Sequence, residues 1–292
     1  MKATSTVSGS SVSVDAVYDW ASVLTAEKRG RYFAYWENQY YWPREILNLY
    51  HKLLSSKSQL VAVVGCSGVG KSSARMALNH ALVKHYEPSV ARRERLGLYE
   101  IKFGSLDFEY LQLESFLNAE LMIWDERLRP YYEGYMIELK ELLVRKLRRF
   151  VESVEDMEDA ETKLTRRACQ MARKKVFIEK IGQYANLLID LPDYSRTNRT
   201  GINRYLNRVQ ELWQGCSVRR RAETNLVVFA QEDNLGDHSF LGKMEVVRIR
   251  PLDREQLFKA YTRIFGNSYP FTDEALLYLA KLSRGVFRRF LR

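Results

Sequence analysis

Apolar runs separated by long amphipathic stretches set the layout of this 292-residue chain. Five short runs rich in β-branched and aromatic residues predict strands at about 60–64, 99–103, 186–190, 225–230 and 245–250. Leu60–Val64 is continuously apolar rather than alternating, the pattern of a strand covered on both faces, as in parallel sheets. Helical patterns lie between the strands, at Ile46–Leu54 and at Ser73–Leu82, where Met76, Leu78, Ala81 and Leu82 are available to pack. From about 108 to 180 the chain is long, charged and helical. There Met136, Leu139, Leu143, Leu147, Phe150 and Val154 form one stripe, and a second helix over about 161–181 carries Leu164, Ala168, Met171 and Ile178 on one face. After Pro251 the pattern is helical throughout: Arg254–Phe265, Thr272–Ser283 and a last helix from Val286, punctuated by Gly266, Asn267, Ser268 and Pro270.

Strands alternating with helices imply a five-stranded parallel sheet with crossovers on both faces, an α/β architecture. The expected organisation is a tail with a short helix (1–28), an α/β core (29–250) that holds a helical insertion at about 108–180, and a small helical lid (251–292). The aromatic-dense segment RYFAYWENQYYW (31–42) reads as core or as cover for a domain edge, with Tyr41 or Trp42 as the alternative of a ring stacked on a base.

The chemistry concentrates where the first strand ends. Gly65-Cys66-Ser67-Gly68-Val69-Gly70-Lys71-Ser72, followed by Ser73, satisfies G-x-x-x-x-G-K-[ST] between a predicted strand and a predicted helix. Such a loop suits a polyphosphate. Glycines let backbone N–H groups turn inward and the helix N-terminus adds partial positive charge, while Lys71 reaches the outer phosphates and the Ser72 hydroxyl ligates Mg²⁺. Further on, NLLIDLPDY supplies an apolar strand with Asp190 at its C-terminal tip and Pro192 ending the ladder. Ligands of open α/β sheets bind at such tips, which makes Asp190 the candidate Mg²⁺-side acid.

A Walker A loop paired with a Walker B strand resembles the P-loop ATPases of the AAA+ class, in the branch with archaeal ATPases, origin-recognition initiators and transposition regulators. WPRE (Trp42–Glu45) resembles the segment that lies against the adenine, which implies contacts from Trp42 and Pro43. ETNLVVFAQED resembles the strand that ends in the first sensor, at Gln231. RIRPLDREQLFKAYTRIFG resembles the passage from the last core strand into the helical lid, and SRGVFRRFLR resembles the lid helix with its second-sensor arginine, at Arg288. The likeness runs over about 42–292 and implies a P-loop NTPase sheet sandwiched by helices, with ATP and Mg²⁺ as ligands and a homo-oligomer or protein partner.

Two positions depart from that pattern. The residue after Asp190, normally a glutamate that polarises the attacking water, is Leu191, and Asp193 could substitute only if the turn through Pro192 returns its carboxylate. Lys243 stands where an inter-subunit arginine is expected, and such an arginine is worth about 10³–10⁵ in rate. A signalling scaffold that holds nucleotide with little turnover is therefore a second reading. A GTPase or small-molecule kinase is a third, disfavoured because Asp193 takes the glycine position of D-x-x-G and no N-K-x-D is present.

Net charge adds a partner class without fixing it. At +10 the chain tolerates phosphate backbones, with basic groups at Arg145/Lys146/Arg148/Arg149, Arg166/Arg167/Arg173/Lys174/Lys175 and Arg219/Arg220/Arg221 as candidate DNA contacts. Helix-to-helix salt bridges across the acidic stretch Glu152–Glu161 are the alternative use of the first two groups. Cys66, Cys169 and Cys216 are too widely spaced for a metal cluster or a disulfide framework and read as reduced thiols. No signal or membrane-spanning pattern is recognised, so a cytoplasmic protein without a membrane role is expected. The chain ends within its last predicted helix, an end that fits a longer parent protein or a trimmed one.

Overall fold

The computed structural model describes residues 40–55, 58–95, 103–108, 129–147, 183–191, 199–236, 238–265 and 272–286, with residues 163, 168, 171, 172, 175, 176, 178 and 179. In chain order these form α1 (Arg44–Leu53), β1 (Leu60–Gly65), α2 (Lys71–Arg95), β2 (Leu106–Phe108), α3 (Arg129–Leu147) and β3 (Asn186–Asp190). Then come α4 (Arg199–Gly215), the short α5 (Val218–Glu223), β4 (Asn225–Gln231), β5 (Glu245–Arg248), α6 (Arg254–Phe265) and α7 (Asp273–Ser283). The strands make one all-parallel sheet in the order β2-β3-β4-β1-β5. The chain leaves β1 toward the β2 edge and returns across it to β5 on the other side, the crossover pattern that opens a ligand crevice at the strand tips.

Strand pleating assigns the two faces. Ala62, Val64, Leu187, Ile189, Leu226, Val228 and Ala230 pack with Ile202, Leu206, Val209 and Trp213 of α4, and with Val176 of the helical stretch between α3 and β3. Val61, Val63, Leu188, Val227 and Phe229 face the other way, onto Ile46, Leu49 and Leu53 of α1 and Ala74, Leu78 and Leu82 of α2. Both faces are thus covered, which is why the strands read as continuous apolar runs. Each of the fully buried Val, Leu, Ile and Phe side chains among them stabilises the fold by about 1.5–3 kcal/mol.

The second strand lies later than the pattern predicts. Phe103 meets Tyr184 only in an isolated bridge, and the regular ladder begins at Leu106, opposite Leu187. Gly104 and Ser105, read as the strand's end, are instead the link between bridge and ladder. The reason is the closeness of α2: a Cβ on Gly104 would stand 2.4 Å from the Leu82 carbonyl oxygen, and the Ser105 hydroxyl donates to Asn79 Oδ1. Residues 99–102 lie outside the described residues. Helix α2 also overruns its predicted end at Leu82. Its apolar spacing stops there, but helix-compatible polar residues continue to Arg95, with Pro88 inside.

The helical stretch before β3 follows the predicted face in part: Ala168 is buried and Ile178 part-buried as expected, but Met171 is not, and Leu164 lies outside the described residues. Ala168, Ala172 and Val176 are buried, whereas Met171 is exposed. This stretch meets α3 through polar groups: the Tyr135 hydroxyl donates to Glu179, Lys175 is 3.5 Å from Glu138, and its ammonium lies 4.1 Å above the Tyr135 ring. Helices α6 and α7 share a small apolar cluster of Leu257, Tyr261, Leu276 and Ala280. A reciprocal capping box opens α6, with Asp253 N–H donating to Gln256 Oε1 and Gln256 N–H to Asp253 Oδ1. After α7, Arg284 and Gly285 take φ values of 50° and 75°, and the Gly285 carbonyl accepts from Leu252 N–H at 2.9 Å. Among the described residues no helix is long and apolar enough to cross a membrane.

Candidate functional site

At the end of β1 the chain must turn tightly beneath β5. A Cβ on Gly65 would lie 2.8 Å from the Ile249 carbonyl oxygen and 2.8 Å from Val69 Cγ1, so only glycine passes here. Gly68 and Gly70 take φ values of 81° and 104°, conformations that a side chain disfavours. Val69, between them, is buried against the apolar cluster of α1 and α2 and pins the loop from beneath. Cys66 and Ser67 are left at the surface. The Ala74 N–H donates to the Gly70 carbonyl at 2.8 Å and starts α2, whose first turn carries Lys71, Ser72 and Ser73. Lys71 is buried, and its ammonium donates to the Gly65 and Cys66 carbonyls at 3.0 Å each.

These features fit a polyphosphate. Space is open around the Gly70 Cα, the helix N-terminus is exposed at Ser72, and the lysine is held by neutral carbonyls that phosphate oxygens would replace with charge-assisted bonds. Among the described residues no group of three or more His, Cys, Asp or Glu could hold a metal ion. A Mg²⁺ ion here would therefore depend on phosphate oxygens and water, with Ser72 and Asp190 as the protein groups, in keeping with its reluctance to dehydrate.

Sheet register brings the remaining site residues to the same rim. Gln231 stands opposite Gly65 on the neighbouring strand, and Asp190 opposite Phe229 one strand further on. Asp190 shares the parity of Leu188, which faces α2, so its carboxylate lies on the α2 side of the sheet. Leu191 falls on the opposite side, only 6% exposed within the α4-facing core. The position at which a catalytic glutamate was sought is therefore filled by a core side chain.

The structure adds two residues that the sequence reading missed. Arg75, one helical turn after Lys71, is 1% exposed; its Nη1 donates to Asp107 Oδ1 and its Nε is 3.4 Å from Asp190 Oδ2. One buried cation thus links a carboxylate within the short β2 to the one at the tip of β3. A signal was present: an arginine between Ala74 and the buried pair Ala77 and Leu78 is a charge on a face that otherwise packs. Its partners, distant in sequence, gave no local sign.

Trp42 is half-buried and edge-on to Tyr40, with ring centroids 5.4 Å apart, and 6.0 Å from Tyr50. It packs on the same cluster that anchors Val69, and Pro43 is buried beside it. The aromatic segment therefore serves the core where it is described. Burial, and then the nearby Asp253 carboxylate, raise the Tyr41 hydroxyl pKa above its ordinary value. Asp193 and Arg288 lie outside the described residues.

No family model matches the sequence, and no curated protein is similar to it. Among solved structures similar to the chain is one described as Drosophila ORC bound to DNA, with 17% identity and a TM-score of 0.40, covering 85% of this chain and 52% of that one. The chain thus spans about half the length of that relative. The five parallel strands of this chain, with a glycine loop joining β1 to α2 and helices on both faces, form an α/β fold of the P-loop NTPase type.

Proposed function

We propose that the chain binds ATP with Mg²⁺ and hydrolyses it, acting as a nucleotide-dependent switch or assembly factor of the AAA+ kind. The observation that carries this reading is the rim on which Lys71 and the positive-φ loop, Gln231 and Asp190 sit on three successive elements of one sheet. In this reading the loop amides from Cys66 to Ser73 and the Lys71 ammonium hold the phosphates. Ser72 and Asp190 hold the cation and its waters. Gln231 orients the outer phosphate, and Arg288, from the segment after Gly285, reports its presence. Trp42 and Pro43 border the base. Bound Mg²⁺ would supply charge neutralisation at the phosphates. Asp193 remains the candidate to polarise water.

Burial of Leu191 favours a second reading, a scaffold NTPase that retains nucleotide with little turnover. Equilibrium binding of fluorescent ATP and GTP, paired with multiple-turnover phosphate release, separates the two. ATP should bind, and Lys71→Ala should lose that binding. Tight ATP binding by Lys71→Ala would defeat both readings. A basal rate no higher than that of the Lys71 variant, with and without duplex DNA, would select the scaffold.

A further inference from the structure

Asp190 is not an isolated acid. Its carboxylate lies 3.4 Å from the buried Arg75 guanidinium, whose closer bond is to Asp107. The three groups carry one net negative charge between β2 and β3, and Arg75 projects from the same helix whose first turn holds Lys71 and Ser72. A guanidinium at ion-pair distance competes with any cation that approaches the same carboxylate. How strongly it competes depends on how much of its charge is already taken up elsewhere. We propose that Asp107, acting through Arg75, sets how readily Asp190 accepts a divalent cation: Asp107 draws the guanidinium toward β2 and leaves Asp190 available. The proposal rests on the reading of Asp190 as the cation-side acid. Arg75 and Asp107 are positioning residues, with no contact to substrate required of either.

The geometry makes the signs of two variants opposite, which a purely structural role would not. Asp107→Asn keeps shape and hydrogen-bonding capacity but removes the charge that holds Arg75 back, so the guanidinium neutralises Asp190 more fully. The Mg²⁺ concentration that half-saturates nucleotide binding should then rise, by about tenfold for a unit charge at this range after screening. The double variant Arg75→Met/Asp107→Asn removes the competing cation together with one carboxylate and should bring the requirement to the wild-type value or below it.

The experiment titrates MgCl₂ into the full chain with a fluorescent ATP analogue, for wild type, both variants and Asp190→Asn, with affinity in EDTA and melting temperature as controls. The proposal expects unchanged affinity in EDTA for Asp107→Asn, a raised Mg²⁺ requirement in that variant, its reversal in the double variant, and a raised requirement in Asp190→Asn, where Ser72, phosphate oxygens and water still hold the ion. A wild-type requirement in Asp107→Asn, with the requirement raised in Asp190→Asn, overturns the proposal and leaves the nucleotide site standing. Wild-type Mg²⁺ dependence in Asp190→Asn overturns the assignment of Asp190 itself. Should the double variant fail to fold, the isosteric Asp107→Asn alone decides.

Discussion

Arg75 shows how much a single interior residue can hold in place. Removing it strands two partly buried carboxylates, and breaking a buried ion pair from one side costs about 3–5 kcal/mol. Arg75→Ala should therefore shift urea denaturation by about that amount, whereas breaking a solvent-exposed pair such as Lys259–Glu255 should leave the denaturation midpoint nearly unchanged. At this scale legibility in the sequence was divided. The glycine loop between β1 and α2 could be read because its residue types follow from backbone geometry, with glycines at φ values of 81° and 104° and a lysine at the helix start. The Arg75 cluster could not, since what a buried charge means depends on partners that only folding brings near. His238 offers a pH test. Its Nδ1 accepts from Phe240 N–H at 3.2 Å while Nε2 meets Asn207 Oδ1 at 2.9 Å, and burial lowers its pKa below the ordinary value of 6.5. The unfolded chain then takes up the proton more readily, so this contribution is present above pH 6.5 and is lost as pH falls through the lowered value. Melting temperature should drop between pH 7 and pH 5 by more in wild type than in His238→Gln; equal drops would exclude the effect.

Among the elements, β1, β3 and β4 were legible because burial on both faces leaves an unbroken apolar run, whereas β5 is an edge strand in which only Val246 and Val247 are part-buried. Strand β2 was misplaced because its neighbour α2 comes too close for a regular ladder at Gly104, a long-range packing fact that alternation does not encode. Gly104→Ala should lower stability by about 1–3 kcal/mol, the cost of overpacking, measurable by thermal melting. At the sheet end opposite the glycine loop, Asn225 ties three elements together. Its amide donates to the Leu53 carbonyl at 2.9 Å and to Asn186 Oδ1 at 2.7 Å, and its Oδ1 accepts from Gln59 N–H at 2.8 Å. Asn225→Leu leaves those buried partners unmet and should cost about 2–4 kcal/mol with nucleotide affinity unchanged. A loss of affinity at full stability would mean that the two ends of the sheet are coupled.

For the whole molecule, the proposed switch makes assembly follow the nucleotide. Light scattering after size exclusion should give a larger mass with a non-hydrolysable ATP analogue than with ADP, and unchanged monomers in both would favour a solitary binding module. A net charge of +10 allows duplex DNA as a partner, yet Arg145, Lys175 and Arg219 each have an acidic side chain within ion-pair distance. Such exposed pairs are weak enough for phosphates to displace, so any DNA affinity should fall steeply with added salt. The hydrogen bond between Leu252 and Gly285 closes the base of the α6–α7 hairpin, so both ends of that unit meet at one point just beyond β5. With that bond in place the two ends of the hairpin cannot part without breaking it. The same segment is tied to the sheet three residues earlier, where the Ile249 N–H donates to the Val64 carbonyl at 2.8 Å, so the hairpin base and the strand that feeds the glycine loop share one short run of chain.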